Sequence, residues 1–344
     1  MQNDVGPAAT RAPAQIYIAS SKCQVPSGDG NLGMHPVDTA AEFGTFHDAL
    51  PTIPYHKICS EGAVMHDHEL NYLANCSMLF TEYPVLERPN AARAAGFEAV
   101  EFWWPWPDQP VPGDALVDAF VRAIRDAGVR LVGLNFFAGD LAGPDCGVLS
   151  IPERSSEFRA NLDIAVGIGA QLEVSAFNAL YGNRVDGVSA TRQDELAREN
   201  LGLAADAAAR IGATVLVEPV SGPKPYPLRT ADQAVAVVEA VRGTGHPNVW
   251  FLCDLFHLAN NGDDVGRAVA TYVGVTGHVQ IADWPGRNEP GTGDLDLGRY
   301  LGALVDGGYR GWVGLEYKPT TTTEASLGWL PRERRATRPA GAPA

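Results

Sequence analysis

Eight short apolar runs, each separated from the next by a loop and, for the most part, a segment of helical period, constrain this chain more than any other feature. The runs are LNYLANC (70–76), EAVEFWW (98–104), RLVGLNFF (130–137), LEVSAF (172–177), TVLVEPV (214–220), VWFLCDL (249–255), HVQIAD (278–283) and WVGLEY (312–317). Runs this short, bounded by turn residues, read as strands buried on both faces. The segments between them include DALVDAFVRAIRDAG (114–128), EFRANLDIAVGIG (157–169), TRQDELARENLGLAADAAARIG (191–212), TADQAVAVVEAVRG (230–243) and LGRYLGALVDGG (297–308). Gly128, Gly169, Gly212 and Gly243 stand where a glycine closes a helix, and Thr191 and Thr230 stand at candidate N-caps.

Eight strands alternating with helices over about 260 residues predict a (β/α)8 TIM barrel of the α/β class. A doubly wound open sheet would need a glycine-rich phosphate loop after its first strand. That position reads CSMLFTEYP and has no glycine, so the barrel is favoured.

The flanks read differently. Residues 1–68 hold neither period for more than a few positions, and segments such as QVPSGDGNLG read as loop; a poorly ordered N-terminal extension is expected there. The barrel domain is expected over 69–331, and RERRATRPAGAPA (332–344) reads as a loose tail. A hydrophobic content of 45% with 19% charged residues suits a sizeable core.

Other functions are disfavoured by composition. A net charge of −15 suits no phosphate backbone, which needs clustered Lys and Arg, so nucleic acid is not an expected partner. Cys23, Cys59, Cys76, Cys146 and Cys253 form no C-x-x-C pair, which argues against a zinc ribbon or a disulfide framework. There is no apolar run of about 18 residues, so no membrane span is expected. The opening MQNDVGPAATRAPAQ lacks a secretory h-region, and a cytoplasmic location is expected. The sequence leaves a homo-oligomer open.

In a TIM barrel the active site lies at the C-terminal ends of the strands. Glu218 ends the fifth strand, Asp254 the sixth and Glu316 the eighth, while the seventh carries Gln280 and Asp283. Any one of these could be an ordinary cap or salt-bridge residue. Together, three carboxylates and the Gln280 amide at one mouth would repel one another unless a cation sat between them. Oxygen ligands of this kind suit Mg²⁺ or Mn²⁺ better than zinc.

Further candidates lie near the same rim. His257, three residues after Asp254, could donate to substrate, add a ligand, or simply bond loop backbone. Arg287 or Lys318 could receive a substrate carboxylate, and Asn135 also stands near a strand end. Trp103, Trp104 and Trp106 follow the second strand and either wall the pocket or pack on helices; packing is the expected role.

From about Leu70 to Leu330 the chain resembles the hydroxypyruvate isomerase family, within the xylose isomerase-like TIM barrels. The resemblance rests on NCSMLFTEYP, AGFEAVEF, NFFAGD, EFRANL, the VEP of the fifth strand, CDLFH, GHVQIAD with its PGTGD loop, and GWVGLEYKPTTTTEASLGWL, in that order. It implies an isomerase whose divalent metal, Mg²⁺ or Mn²⁺, is held by Glu218, Asp254, Gln280 and Glu316. It also implies that Glu218 and Glu316 are the catalytic acid/base pair, and that the substrate is a small hydroxy or oxo acid, with hydroxypyruvate converted to tartronate semialdehyde. Cys76 departs from the family's usual apolar residue, which leaves the ligands untouched.

Other readings of the barrel remain. A 2-oxo-tetronate isomerase or a ketose 3-epimerase would use similar carboxylates, although such epimerases usually carry His where Gln280 stands. A DNA-repair endonuclease of this fold binds several zinc ions through many histidines, and only His246, His257 and His278 lie in the barrel segment. A non-catalytic barrel would not be expected to keep all four ligands.

Overall fold

Successive side chains of a strand point to opposite faces, so a barrel strand sends every second residue to the interior. The computed structural model describes residues 68–337, and in it eight such strands close on themselves. They are β1 (Asn71–Asn75), β2 (Ala99–Phe102), β3 (Arg130–Asn135), β4 (Ala176–Asn178), β5 (Thr214–Val217), β6 (Val249–Asp254), β7 (Thr276–Ile281) and β8 (Trp312–Leu315). All neighbours are parallel, and β1 pairs with β8 from Asn71↔Trp312 to Ala74↔Leu315. The expected (β/α)8 barrel is the observed fold.

The helices are α1 (Arg88–Ala94), α2 (Asp114–Ala127), α3 (Ser155–Leu172), α4 (Ala190–Ala209), α5 (Ala231–Arg242), α6 (Leu255–Asn260), α7 (Val265–Tyr272), α8 (Leu297–Asp306) and α9 (Thr323–Ser326). Where the sequence signals were strong the ends agree. Thr230 caps α5 through a capping box with Gln233, and Gly128 closes α2 at φ 66°.

Two boundaries differ. Ser189, not Thr191, caps α4 by accepting from the Arg192 N–H. Gly169 does not end α3: the helix runs on to Leu172, and Glu173 takes the left-handed position at φ 57°. A Cβ at Gly169 would lie 2.6 Å from the Phe177 ring, so this glycine allows α3 to approach β4. The apolar run beginning at Leu172 therefore spans a helix end and a strand start, and β4 begins only at Ala176.

The barrel interior is layered by strand parity. Leu73, Ala99 and Val132 with Trp312, and Ala176, Leu216 and Leu252 with Trp250, form two small buried clusters apart from the main core. One step of two residues further along the same strands lie Asn75, Glu101, Asn178, Glu218 and Asp254. The polar layer thus follows from the apolar one by the two-residue repeat.

The expected N-terminal extension, 1–68, lies outside the described residues except for its last position. In the expected tail, Arg334 donates to the His68 carbonyl and Arg335 to those of Ala95, Leu327 and Leu330. Residues 338–344 again lie outside. Among the described residues, no helix is long and apolar enough to cross a membrane.

Candidate active site

Glu218, Asp254, His257 and Glu316 are all buried, and each offers a ligand atom within 4.8 Å of the others. Each carboxylate is held in its own way. Glu218 accepts from Asn178 Nδ2 at 2.7 Å. Asp254 caps α6 by accepting the His257 backbone N–H at 2.8 Å, which aims its other oxygen into the barrel mouth. Glu316 accepts from Trp103 Nε1 at 2.7 Å, Asn75 Nδ2 at 3.1 Å and Arg287 Nη2 at 2.6 Å.

Gln280 stands beside them on β7. Its Nε2 donates to Glu101 Oε1 at 2.8 Å, while its Oε1 is buried without a hydrogen-bond partner. Asp254 Oδ2 and Asn178 Oδ1 are likewise buried and unpartnered. Buried acceptors are seldom left unpaired. Two of these, with the Glu218 and Glu316 carboxylates, make a donor set of hard oxygens that fits a divalent cation.

The electrostatics agree. Burial, then the charges of Glu316 and Asp254, push the Glu218 carboxyl well above the ordinary carboxylate range. Burial and then Glu316 push Asp254 up to about 8. Burial also raises Glu316, against the pull of Arg287. Three acids that resist ionising together are the environment a cation would relieve.

His257 is fixed differently. Its Nδ1 accepts from the Ser221 backbone N–H at 3.0 Å, which places the ring proton on Nε2. Burial, with Arg287 adding to it, holds the ring well below its ordinary pKa, so it is neutral. Nε2 points toward Glu218 Oε1 at 3.7 Å and Asp254 Oδ2 at 3.9 Å. In this tautomer His257 is a donor to the pocket rather than a ligand.

Above the cluster opens a cavity of about 150 Å³, lined among others by Asn135, Asn178, His257, Arg287, Lys224 and Trp103. That is well below the roughly 300–1,000 Å³ of pockets for drug-sized ligands, and it suits a small molecule. Arg287 reaches the cavity from the loop after β7, at φ 57°, a conformation uncommon for a residue other than glycine. The loop is tied down by Asp283, whose carboxylate accepts the backbone N–H groups of Trp284, Gly291, Gly293 and Leu295. Asp283 thus organises the loop and lies outside the oxygen cluster.

The structure brings seven of the eight expected site residues to one mouth: Glu218, Asp254, Gln280, Glu316, His257, Arg287 and Asn135. The eighth, Lys318, is exposed and absent from the cavity lining. Its backbone N–H instead donates to the Arg287 carbonyl at 2.7 Å. The cation that joins Arg287 at the cavity is Lys224, whose Nζ donates to the carbonyls of Leu141 and Asp145. The three tryptophans divide: Trp104 and Trp106 pack edge to face at 5.2 Å, whereas Trp103 walls the cavity and holds Glu316.

Sequence reasoning missed Asn75, Glu101 and Asn178. The signal was present in the two-residue repeat, which sets each of them one inward step beyond an apolar interior residue. Glu101 is buried and accepts from Asn75, Gln280 and His278. Burial raises its carboxyl, but attraction to His278 and the hydrogen bonds outweigh this and hold it below the ordinary carboxylate value.

Of the other described histidines, His68 bonds Tyr72, His246 lies beside Asp206 and His278 pairs with Glu101. His257 is therefore the one described histidine at the cluster, too few for a multi-zinc site built on histidines.

A family model described as xylose isomerase-like TIM barrel matches residues 89–333. A Streptomyces coelicolor protein named "Putative hydroxypyruvate isomerase" is 56% identical over 269 residues, covering 77% of this chain and 96% of the relative. The "Hydroxypyruvate isomerase" of Escherichia coli K12 is 32% identical over 263 residues, covering 76% and 98%. Two relatives named 2-oxo-tetronate isomerase match at 30% and 34% identity. A crystal structure described as an AP endonuclease, family 2, from Brucella melitensis superposes with a TM-score of 0.68 at 35% identity, covering 76% of this chain and 98% of that one.

Proposed function

From the premise that this chain belongs to the hydroxypyruvate isomerase family of xylose isomerase-like TIM barrels and is an isomerase, we propose that it interconverts hydroxypyruvate and tartronate semialdehyde with a divalent metal. The observation that carries this reading is the pair of orphaned oxygens, Asp254 Oδ2 and Gln280 Oε1, buried beside the Glu218 and Glu316 carboxylates. Glu218, Asp254, Gln280 and Glu316 would hold the ion, Mg²⁺ or Mn²⁺. When bound, such an ion withdraws charge from the carbonyl and hydroxyl oxygens of the substrate and so acidifies the adjacent C–H bond.

The protein's own residues move the protons. One glutamate removes a proton from C3 of hydroxypyruvate, the C–H electron pair becomes the C2=C3 bond of an enediolate, and the C2=O π pair moves onto the C2 oxygen. A proton is then delivered to C2 while the C3 hydroxyl proton passes to the C2 oxygen, so that C2 becomes the hydroxyl-bearing carbon and C3 the aldehyde carbon. Glu218 and Glu316, three strands apart around the barrel, serve the two carbons, and their roles exchange in the reverse direction. His257 Nε2–H donates to a substrate oxygen, and Arg287 and Lys224 supply the positive charge for its carboxylate.

A four-carbon 2-oxo acid is the second reading, favoured by the relatives named 2-oxo-tetronate isomerase. One experiment separates them. The protein with Mn²⁺ is incubated in D2O with hydroxypyruvate or with a four-carbon 2-oxo-3-hydroxy acid, and deuterium entry beside the carbonyl is followed by NMR. Faster exchange with hydroxypyruvate is expected. Faster exchange with the four-carbon acid moves the assignment to that substrate, and exchange with neither overturns the proton-transfer reading.

A further inference from the structure

Glu101 is a carboxylate inside the barrel that does not line the cavity. A barrel interior is ordinarily filled by branched apolar side chains, and burying a carboxylate is costly. Here the surroundings are built to accept one. The β2–β3 register shifts between Val100 and Glu101, so that Glu101 faces Gly133. A Cβ at Gly133 would come within 3.2 Å of Glu101 Oε2, and one at Gly314 on β8 within 2.5 Å of Oε1. A bulge and two glycines thus vacate the volume that this carboxylate occupies.

Its partners face the oxygen cluster. His278 Nε2 lies 2.8 Å from Oε2 and pins one side. Oε1 accepts from Gln280 Nε2 at 2.8 Å and from Asn75 Nδ2 at 3.0 Å. A carboxylate accepts and does not donate, so it selects the amide face of Gln280 that carries hydrogens. The carbonyl oxygen of Gln280 is the atom this pairing leaves over, and it is buried with no hydrogen-bond partner. Asn75 Nδ2 is shared with Glu316 Oε1 at 3.1 Å, so the same carboxylate also steadies Glu316.

We propose that Glu101 is the positioning residue of the cation site: it fixes the Gln280 amide with its oxygen toward the ion and, through Asn75, sets the placement of Glu316. The inference rests on the metal-site reading above and concerns residues beyond the four ligands. Groups in this position typically change metal affinity 10- to 100-fold when removed.

The test is Mn²⁺ binding to the full chain, read as free Mn²⁺ by electron paramagnetic resonance, with the metal-free melting curve as a check of folding. Glu101→Leu removes the acceptor and keeps an interior-sized side chain; a loss of roughly 10- to 100-fold in Mn²⁺ affinity is expected. The same substitution is then made in a Gln280→Ala background. If Glu101 acts through Gln280, the loss shrinks by at least about threefold there, because the effects of coupled residues are not additive. A merely structural role would give the same loss in both backgrounds, and that result, or wild-type affinity in Glu101→Leu, overturns the inference. Should Glu101→Leu not fold, Glu101→Asp, which retracts the carboxylate by one methylene, is read by the same two criteria. A wild-type protein that binds no Mn²⁺ overturns the cation site and this inference together, whereas normal wild-type binding with an unaffected variant overturns this inference alone.

Discussion

Arg287 Nη2 donates to Glu316 Oε2 at 2.6 Å, across the mouth of the barrel. The guanidinium also stacks 5.3 Å over the Phe256 ring, and its backbone is clamped by Asp283 and Lys318. It is therefore a cation placed in advance at the cavity. Its Nε is buried without a hydrogen-bond partner and would be left to donate to a substrate carboxylate. Arg287→Leu is expected to raise KM for a carboxylate substrate about 10- to 100-fold, the loss of a charge-assisted hydrogen bond of roughly 1.5–3 kcal/mol. Steady-state kinetics at saturating Mn²⁺ checks this; an unchanged KM would remove Arg287 from substrate binding.

Glu316→Gln keeps the shape of the side chain and removes its ability to take a proton. Isomerisation is expected to fall by at least about 10²–10⁴-fold, the usual worth of a general base. The metal-free protein should still melt cooperatively, because the amide oxygen can accept from Trp103 and Asn75, with a lowered midpoint because the amide NH2 no longer accepts from Arg287. Near wild-type turnover would remove Glu316 from proton transfer.

The site should respond to pH in a definite direction. Asp254 is pushed up to about 8 and Glu218 is raised as well, above the ordinary carboxylate values near 4. Between about pH 4 and 8 the folded metal-free protein therefore holds protons that the unfolded chain has released, and its stability falls as pH rises through that window. A cation needs the ionised form, so Mn²⁺ affinity should rise from pH 6 to 8, by up to about tenfold per unit for each proton displaced. Calorimetry in buffers of different ionisation enthalpy would count the released protons. A flat affinity across this range would contradict the raised carboxyls.

Away from the site, Thr230→Ala removes the half of the α5 capping box in which the hydroxyl accepts from the Gln233 N–H, and leaves the half in which Gln233 Oε1 accepts from the backbone N–H of residue 230. The expected cost is about 1 kcal/mol of stability, read by denaturant melting, with Mn²⁺ affinity unchanged. A shift in metal affinity would mean that the helical shell and the cation site are more tightly coupled than the distance along the chain suggests.

Much of this was legible in the sequence. The strand runs announced themselves, and Glu218, Asp254, Gln280 and Glu316 stood out because a carboxylate or amide at the end of an apolar run needs a reason. Glu101 did not stand out: it lies within EAVEFWW, and what makes its burial tolerable comes from Gly133 and Gly314 on other strands. Loop residues were harder still. Lys318 and Lys224 look alike in sequence, but only tertiary contacts bring the second to the cavity. Asn178 was hidden because the apolar run from Leu172 masked where α3 stops and β4 starts.

Glu218, Asp254, Gln280 and Glu316 are expected to converge on one divalent ion. Crystals soaked with Mn²⁺ and measured for anomalous scattering test it most directly. A single strong peak is expected within bonding distance of an oxygen from each of the four, with Gln280 contributing Oε1. A peak elsewhere, or none while the four side chains turn away from one another, would contradict it.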